Sequence, residues 1–186
     1  AEDAILHGAG REDIDARMLG TGRPFVMEVV SPRRRSLDLK CLEELVNQEA
    51  EERVAVSFER WSERNEVETL KSKQGYKKYR IIVEVLGDVS LDEVKDALDR
   101  LEGAVIHQRT PQRVVHRRAD KVRERRVIHI ELVHVNDGRF LIDVVGEAGL
   151  YIKELISGDN GRTRPSLSEF LGREARVENL DVVLVE

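Results

Sequence analysis

The chain has 186 residues, of which 40% are hydrophobic and 36% charged, with a formal net charge of −5 at pH 7. That length fits one domain, with room for two lobes, and suffices to bury a substantial core. No apolar run approaches the roughly eighteen residues of a membrane span, and a single cysteine, Cys41, excludes an intrachain disulfide or a zinc site built on several thiolates. The start at Ala1 carries no signal-peptide pattern, and the missing initiator Met points to a processed chain or a fragment. The reading is therefore a cytoplasmic globule. Abundant charge with few thermolabile residues also resembles proteins from hot environments.

The net charge misleads until it is divided. Residues 107–126 hold eight Lys or Arg (109, 113, 117, 118, 121, 123, 125 and 126) against Asp120 and Glu124, a local balance of +6. The rest of the chain is left at −11. A basic stripe on an acidic body can direct a polyanion to one face.

Taken in order, the chain opens on a glycine-rich loop, residues 8–25, with three arginines and the carboxylates Glu12, Asp13 and Asp15. Glycine allows sharp turns, and flanking arginines keep a presented carboxylate ionised. A charged surface turn is the alternative. Residues 23–31 (RPFVMEVVS) alternate as a strand, broken at Ser31-Pro32. Ser36 predicts an N-cap for a helix to about Glu52, with Leu39, Leu42, Leu45 and Val46 on one face and Cys41 as a small core or boundary residue. Residues 54–61 read as a second strand, and the charged stretch 62–75 as a turn or lead-in. Residues 79–86 (YRIIVEVL) form an internal strand.

Ser90-Leu91-Asp92-Glu93 is a capping box for a helix that buries Leu91, Val94, Leu98 and Leu101 and stops at Gly103. A short strand follows at 104–107, then the basic stripe. Residues 127–135 and 140–145 pair across Asn136-Asp137-Gly138, a strong hairpin signal. Residues 149–156 start a short helix, Ser166 to Glu169 form a second capping box closed by Gly172, and 177–185 are a terminal strand. Strands outnumber helices without regular βαβ alternation. The fold class is α+β with a mixed, largely antiparallel sheet.

Beyond the opening loop, three stretches stand out. In Lys77-Lys78-Tyr79 a tyrosine opens an apolar strand behind two cations; the plainer reading is a core-boundary aromatic with a wet hydroxyl. Residues 108–118 (QRTPQRVVHRR) form a cation-dense loop suited to phosphates, or else a solvated face. In Gly149-Leu150-Tyr151-Ile152-Lys153, a lysine in a mostly apolar turn calls for a carboxylate partner, since an unpaired buried cation is costly.

Together these stretches resemble the pseudouridine synthases, which detach uracil in RNA and reattach it through carbon. Gly10-Arg11-Glu12-Asp13 is similar to their Gly-Arg-x-Asp loop, Lys77-Lys78-Tyr79 to their basic-x-Tyr element, and residues 149–153 to their Gly-x-Tyr-Ile-Arg/Lys element. The fuller wording (GREDIDARMLGTGRPF, QRTPQRVVHRRAD, GLYIKELISGDNGRTRPS) resembles the archaeal and eukaryotic branch that acts on T-arm uridines 54 and 55 of tRNA. The resemblance spans residues 1–186 as the catalytic domain; the branch's N-terminal RNA-binding region with zinc-binding cysteines has no counterpart here.

The resemblance implies a pseudouridine-synthase-like sheet flanked by helices and loops. It implies Asp13 as catalytic carboxylate, Tyr79 against the target base and as a base for a sugar proton, and Lys153 as the cation paired with the aspartate. It assigns Arg11, Tyr151, Arg113, His116, Arg117, Arg118 and Arg164 to the substrate. It implies tRNA as partner, with no DNA, membrane, metal or organic cofactor. Lys153 stands where many relatives outside the branch carry arginine, which removes a two-pronged clamp. Asp15, two residues from Asp13, competes on spacing for the same role. A synthase for another RNA, or a non-catalytic RNA-binding module, is the rival reading. A phosphate-handling enzyme ranks lower, because no Gly-x-x-x-x-Gly-Lys-Ser/Thr pattern occurs.

Overall fold

A computed structural model describes residues 1–72 and 75–186. These fall into two compact units, one of Ala1–Gly10 and residues 24–72, the other of Arg11–Arg23 and residues 75–186.

The first unit holds an antiparallel ribbon of β1 (Asp3–Gly8) and β3 (Phe25–Val30), with helices α1 (Leu39–Glu49) and α2 (Arg64–Ser72). β1 was not expected from the sequence. The cap of α1 is Asp38, not Ser36: its carboxylate accepts from the amides of Lys40 and Cys41 at 2.9 and 3.2 Å. The helix also ends three residues before the expected Glu52, and Glu51 and Glu52 turn out of it at φ of 49° and 62°. Cys41 is exposed, because the inward stripe runs through Leu39, Leu42 and Val46 and leaves Cys41 and Leu45 on the outer side.

Residues 54–61 are not a strand. Their polar backbone is met by side chains of α1 instead. Asn47 donates to the Val56 carbonyl at 2.9 Å and accepts from the Val56 amide at 2.8 Å, while Glu43 accepts from the Phe58 amide. A helix edge takes the place of a neighbouring strand. Asn47→Ala should therefore cost about 1–3 kcal/mol and speed amide exchange at Val56, as measured by hydrogen exchange. Unchanged protection there would show that the amide is held otherwise.

The charged stretch 62–75 is helical over most of its length rather than a turn; Lys73 and Gln74 lie outside the described residues. Glu66 in the first turn and Lys71 in the last complement the helix dipole, and Val67 and Leu70 share the half-buried side.

The second unit is built on a seven-stranded sheet from β2 (Arg17–Met18), β4 (Tyr76–Val85), β5 (Val105–Arg109), β6 (Val122–Asn136), β7 (Arg139–Glu147), β8 (Thr163–Arg164) and β9 (Ala175–Val185). Its order is β2-β9-β4-β7-β6-β5-β8, antiparallel except where β2 runs parallel to β9. Helices α3 (Leu91–Leu101), α4 (Ile152–Ser157) and α5 (Leu167–Leu171) complete it. The unit is α+β with a mixed, largely antiparallel sheet, as read from the sequence.

β4 is internal, between β9 and β7, and buries Ile81 and Val83 completely. The β6–β7 hairpin turns at Asp137-Gly138 with φ of 47° and 75°, the paired positive φ values a tight hairpin demands. β6 begins at Val122, five residues earlier than expected, because residues 122–126 pair with β5. Part of the basic stripe is thus strand. α3 has its full capping box but leaves Leu91 44% exposed; Ala97 joins Val94, Leu98 and Leu101 inside. α5 makes only half a box: Ser166 accepts from the Glu169 amide, while the Glu169 carboxylate turns to Arg164. Among the described residues no helix is long and apolar enough to cross a membrane.

Candidate active site

The period of two along β4 puts Lys77 and Tyr79 on the same face as the core residues Ile81 and Val83, with Lys78 and Arg80 on the other, where both bind the buried Asp143. A strand at the centre of the sheet thereby carries a tyrosine and a lysine to one end of the core. Tyr79 is 2% exposed. Burial, then the negative charge of Glu12, push its phenol well above the usual tyrosine value, against an opposing effect of Arg23.

The opening loop is tied to the same sheet through its second half. β2 pairs with β9, Arg17 forks onto Asp181 at 2.7 and 2.8 Å, and Leu19 donates to the Val182 carbonyl. Gly20 sits at φ +72°, where a Cβ would lie 2.3 Å from the Val183 carbonyl oxygen, so only glycine fits. The carboxylates of the first half are each held by cations. Glu12 accepts from Arg23 at 2.8 Å and from Lys77 on β4.

The third element is α4. Its N-cap, Tyr151, has its backbone bracketed by the fully buried Gln108 side chain, which donates to the Tyr151 carbonyl at 2.9 Å and accepts from its amide at 2.8 Å. Ile152, Leu155 and Ile156 are buried, which fixes the helix and carries Lys153 to the opening loop. Lys153 binds Asp15 at 2.6 Å and lies 3.9 Å from Asp13. The close partner of Asp13 is Arg113, at 2.6 Å. Arg113 also forks onto Glu154 at 2.6 and 3.1 Å. Burial alone would lower the Arg113 pKa, but Glu154 and then Asp13 push it above its ordinary value. The hydrogen bond from Lys153 holds Asp15 below the usual carboxylate value.

Asp13, Tyr79 and Lys153 line one cavity of about 640 Å³. Arg11, Tyr151, Arg113, Arg117 and Arg118 line it as well. Arg118 donates to the Tyr151 hydroxyl at 3.0 Å, and Arg117 to the His116 ring at 2.7 Å. His116 and Arg164 are outside the lining; Arg164 is exposed and paired with Glu169. Sequence reasoning did not single out Glu154, although a carboxylate inside the apolar run Ile152-Lys153-Glu154-Leu155-Ile156 carries the same signal that flagged Lys153: a charge on a buried turn needs a partner. Among the described residues no group of three or more His, Cys, Asp and Glu is placed to hold a metal ion.

A carboxylate, a buried tyrosine and a lysine from three separate stretches thus line one cavity of the second unit. Comparison with known proteins places the chain in a family. The profile of the family described as "Pus10, C-terminal" matches residues 1–186, and the chain belongs to that family. A relative from Archaeoglobus fulgidus, named tRNA pseudouridine synthase Pus10, is 52% identical over 185 residues, covering 100% of this chain and 51% of its own length. One of the same name from Korarchaeum cryptofilum is 50% identical over 187 residues, covering 100% and 50%. The chain thus spans about half the length of these relatives. Among solved structures, a chain of a Cbf5-Nop10-Gar1 complex is similar over 57% of this chain and 29% of its own, at 29% identity and a TM-score of 0.48.

Proposed function

We propose that this chain is the catalytic portion of a cytoplasmic tRNA pseudouridine synthase, converting uridine to pseudouridine at T-arm positions 54 and/or 55. One observation carries the reading: Asp13, Tyr79 and Lys153, each more than sixty residues from the next along the chain, line a single cavity. Its volume of about 640 Å³ suits one nucleotide, since small-molecule sites run from about 300 to 1,000 Å³.

The target uridine is paired or stacked in the tRNA arm and must be turned out before it reacts. The ring of Tyr79 replaces part of the lost stacking. The Asp13 carboxylate starts the cleavage of the bond between C1′ and N1. The freed uracil turns, C5 bonds to C1′, the proton on C5 is lost, and N1 takes up a proton, so the reaction is an isomerisation with no net change in atoms. Two cations face the Asp13 carboxylate, Arg113 at 2.6 Å and Lys153 at 3.9 Å.

Arg11, Arg117, Arg118 and Tyr151, which line the cavity, would meet the RNA, together with His116, which accepts from Arg117, and the exposed Arg164. Replacing Arg117 and Arg118 together by Gln should weaken tRNA binding and flatten its salt dependence by roughly 0.7–0.9 per lost phosphate contact. An unchanged slope would show that these arginines face elsewhere.

The experiment that tests the function is incubation of the chain with an unmodified tRNA transcript, followed by mapping of pseudouridine. Conversion at 54 or 55 is the expected result. Conversion at another site, or only in another RNA, would change the substrate, and none at all in any RNA would leave an RNA-binding module.

A further inference from the structure

Arg113 belongs by sequence to the same basic stretch as Arg117 and Arg118, yet its surroundings differ. All three are exposed, but the guanidinium contacts of Arg117 and Arg118 are to the His116 ring nitrogen and the Tyr151 hydroxyl. Arg113 has three of its donors committed to carboxylates. Nε and Nη2 engage the two oxygens of Glu154, and Nη1 engages Oδ1 of Asp13. The Glu154 side chain is 5% exposed and sits on α4, whose neighbouring positions pack into the core.

The loop bearing Arg113 is anchored without any RNA. Thr110 is fully buried and donates to the Ala119 carbonyl, and the Gln112 amide donates to Asp159. Arg113 therefore stands on a fixed turn, gripped by a buried carboxylate, and meets one oxygen of Asp13. The other oxygen, Oδ2, faces Lys153 at 3.9 Å, and Lys153 is itself drawn to Asp15 at 2.6 Å.

We propose that Glu154 and Arg113 form a positioning pair for Asp13: Glu154 fixes the guanidinium, the guanidinium holds Oδ1, and Oδ2 is left to meet the substrate. Arg113 is then no phosphate contact. For a phosphate to take it, the buried Glu154 would lose its partner, and stripping a buried ion of its counter-charge is strongly unfavourable. A lysine at 113 keeps the charge but cannot bridge two carboxylates with a planar fork. This proposal rests on the functional reading above.

The test uses Glu154→Gln, Arg113→Lys and Arg113→Gln, with tRNA affinity measured across a range of salt and single-turnover pseudouridine formation measured at saturating protein. Glu154→Gln and Arg113→Lys should each slow the chemical step at least about thirtyfold while affinity stays within about twofold. Arg113→Gln should leave the salt slope unchanged. Arg113→Lys guards against a folding defect, because it keeps a cation beside Glu154. Full rates in both conservative variants overturn the proposal, as does a slope reduced by roughly 0.7–0.9 in Arg113→Gln, the mark of a lost phosphate contact. If the unsubstituted chain forms no pseudouridine, the functional reading fails, and the slope alone decides whether Arg113 touches phosphate.

Discussion

Asp13→Asn should abolish pseudouridine formation, by about three orders of magnitude or more, while leaving the fold and tRNA binding intact. The size of the effect follows from removing the group that starts bond cleavage, where single substitutions carry most of the catalytic loss. The fold should survive because neither cation is orphaned: Arg113 keeps Glu154, and Lys153 keeps Asp15. The same pairing makes Asp15 the natural control. Asp15 is held below the usual carboxylate value by Lys153, yet it lies further out, at 63% side-chain exposure. Asp15→Asn should reduce the rate far less than Asp13→Asn. Turnover by Asp13→Asn within about tenfold of the unsubstituted chain, read by single-turnover assay, would move the role to Asp15.

Tyr79→Phe is the second substitution with a large expected effect. Phe keeps the ring and fills the same space in a nearly closed environment, so melting temperature and tRNA affinity should change little. The hydroxyl is lost, and the rate should fall about a hundredfold, the low end for a positioned proton-transfer group. The pH dependence sharpens this. Burial, reinforced by Glu12, raises the phenol above its ordinary value of 10.0, so it stays neutral from pH 6 to 9. In the free chain Tyr79 is thus a hydroxyl, and it can take a sugar proton only once the substrate changes its surroundings. Through Tyr79, the rate should be level with pH across that window. A rising limb between pH 8 and 9.5 that vanishes in Tyr79→Phe would mean that the phenol ionises there, contrary to this account.

Much of the second unit was legible because its signals are local. The capping box at Ser90, the Asp137-Gly138 turn and the apolar centre of β4 each determine a few neighbouring residues, and the structure has all three. The first unit was harder to read. Residues 54–61 have the composition of a strand, but their hydrogen bonds go to Asn47 and Glu43, a choice that depends on which element lies alongside. Residues 62–72 lack a strong apolar period, and their helix rests on Val67, Leu70 and the charges at its two ends, with a fork from Arg60 to Glu66. Cys41 and Leu45 were placed inward by a generous stripe, whereas the half-buried face of α1 is narrower.

At the cavity, the motifs single out Asp13, Tyr79 and Lys153 but not the partners around them. The expected pairing of Lys153 with the aspartate is loose, at 3.9 Å, because Asp15 competes for the ammonium and Arg113 reaches Asp13 from a hundred residues away. Such long-range choices between equivalent charges are set by packing and leave no trace in spacing. Arg113, Arg117 and Arg118 look alike in the sequence for the same reason: composition counts cations, while their partners differ.

The most direct measurement of the central claim is a crystal structure of the chain bound to a T-arm hairpin RNA. The target uridine should be turned out of the helix into the cavity, its ring against Tyr79 and its C1′ beside Oδ2 of Asp13, with Arg113 still on Glu154. A uridine left stacked in the RNA, or lodged away from these three side chains, would contradict it.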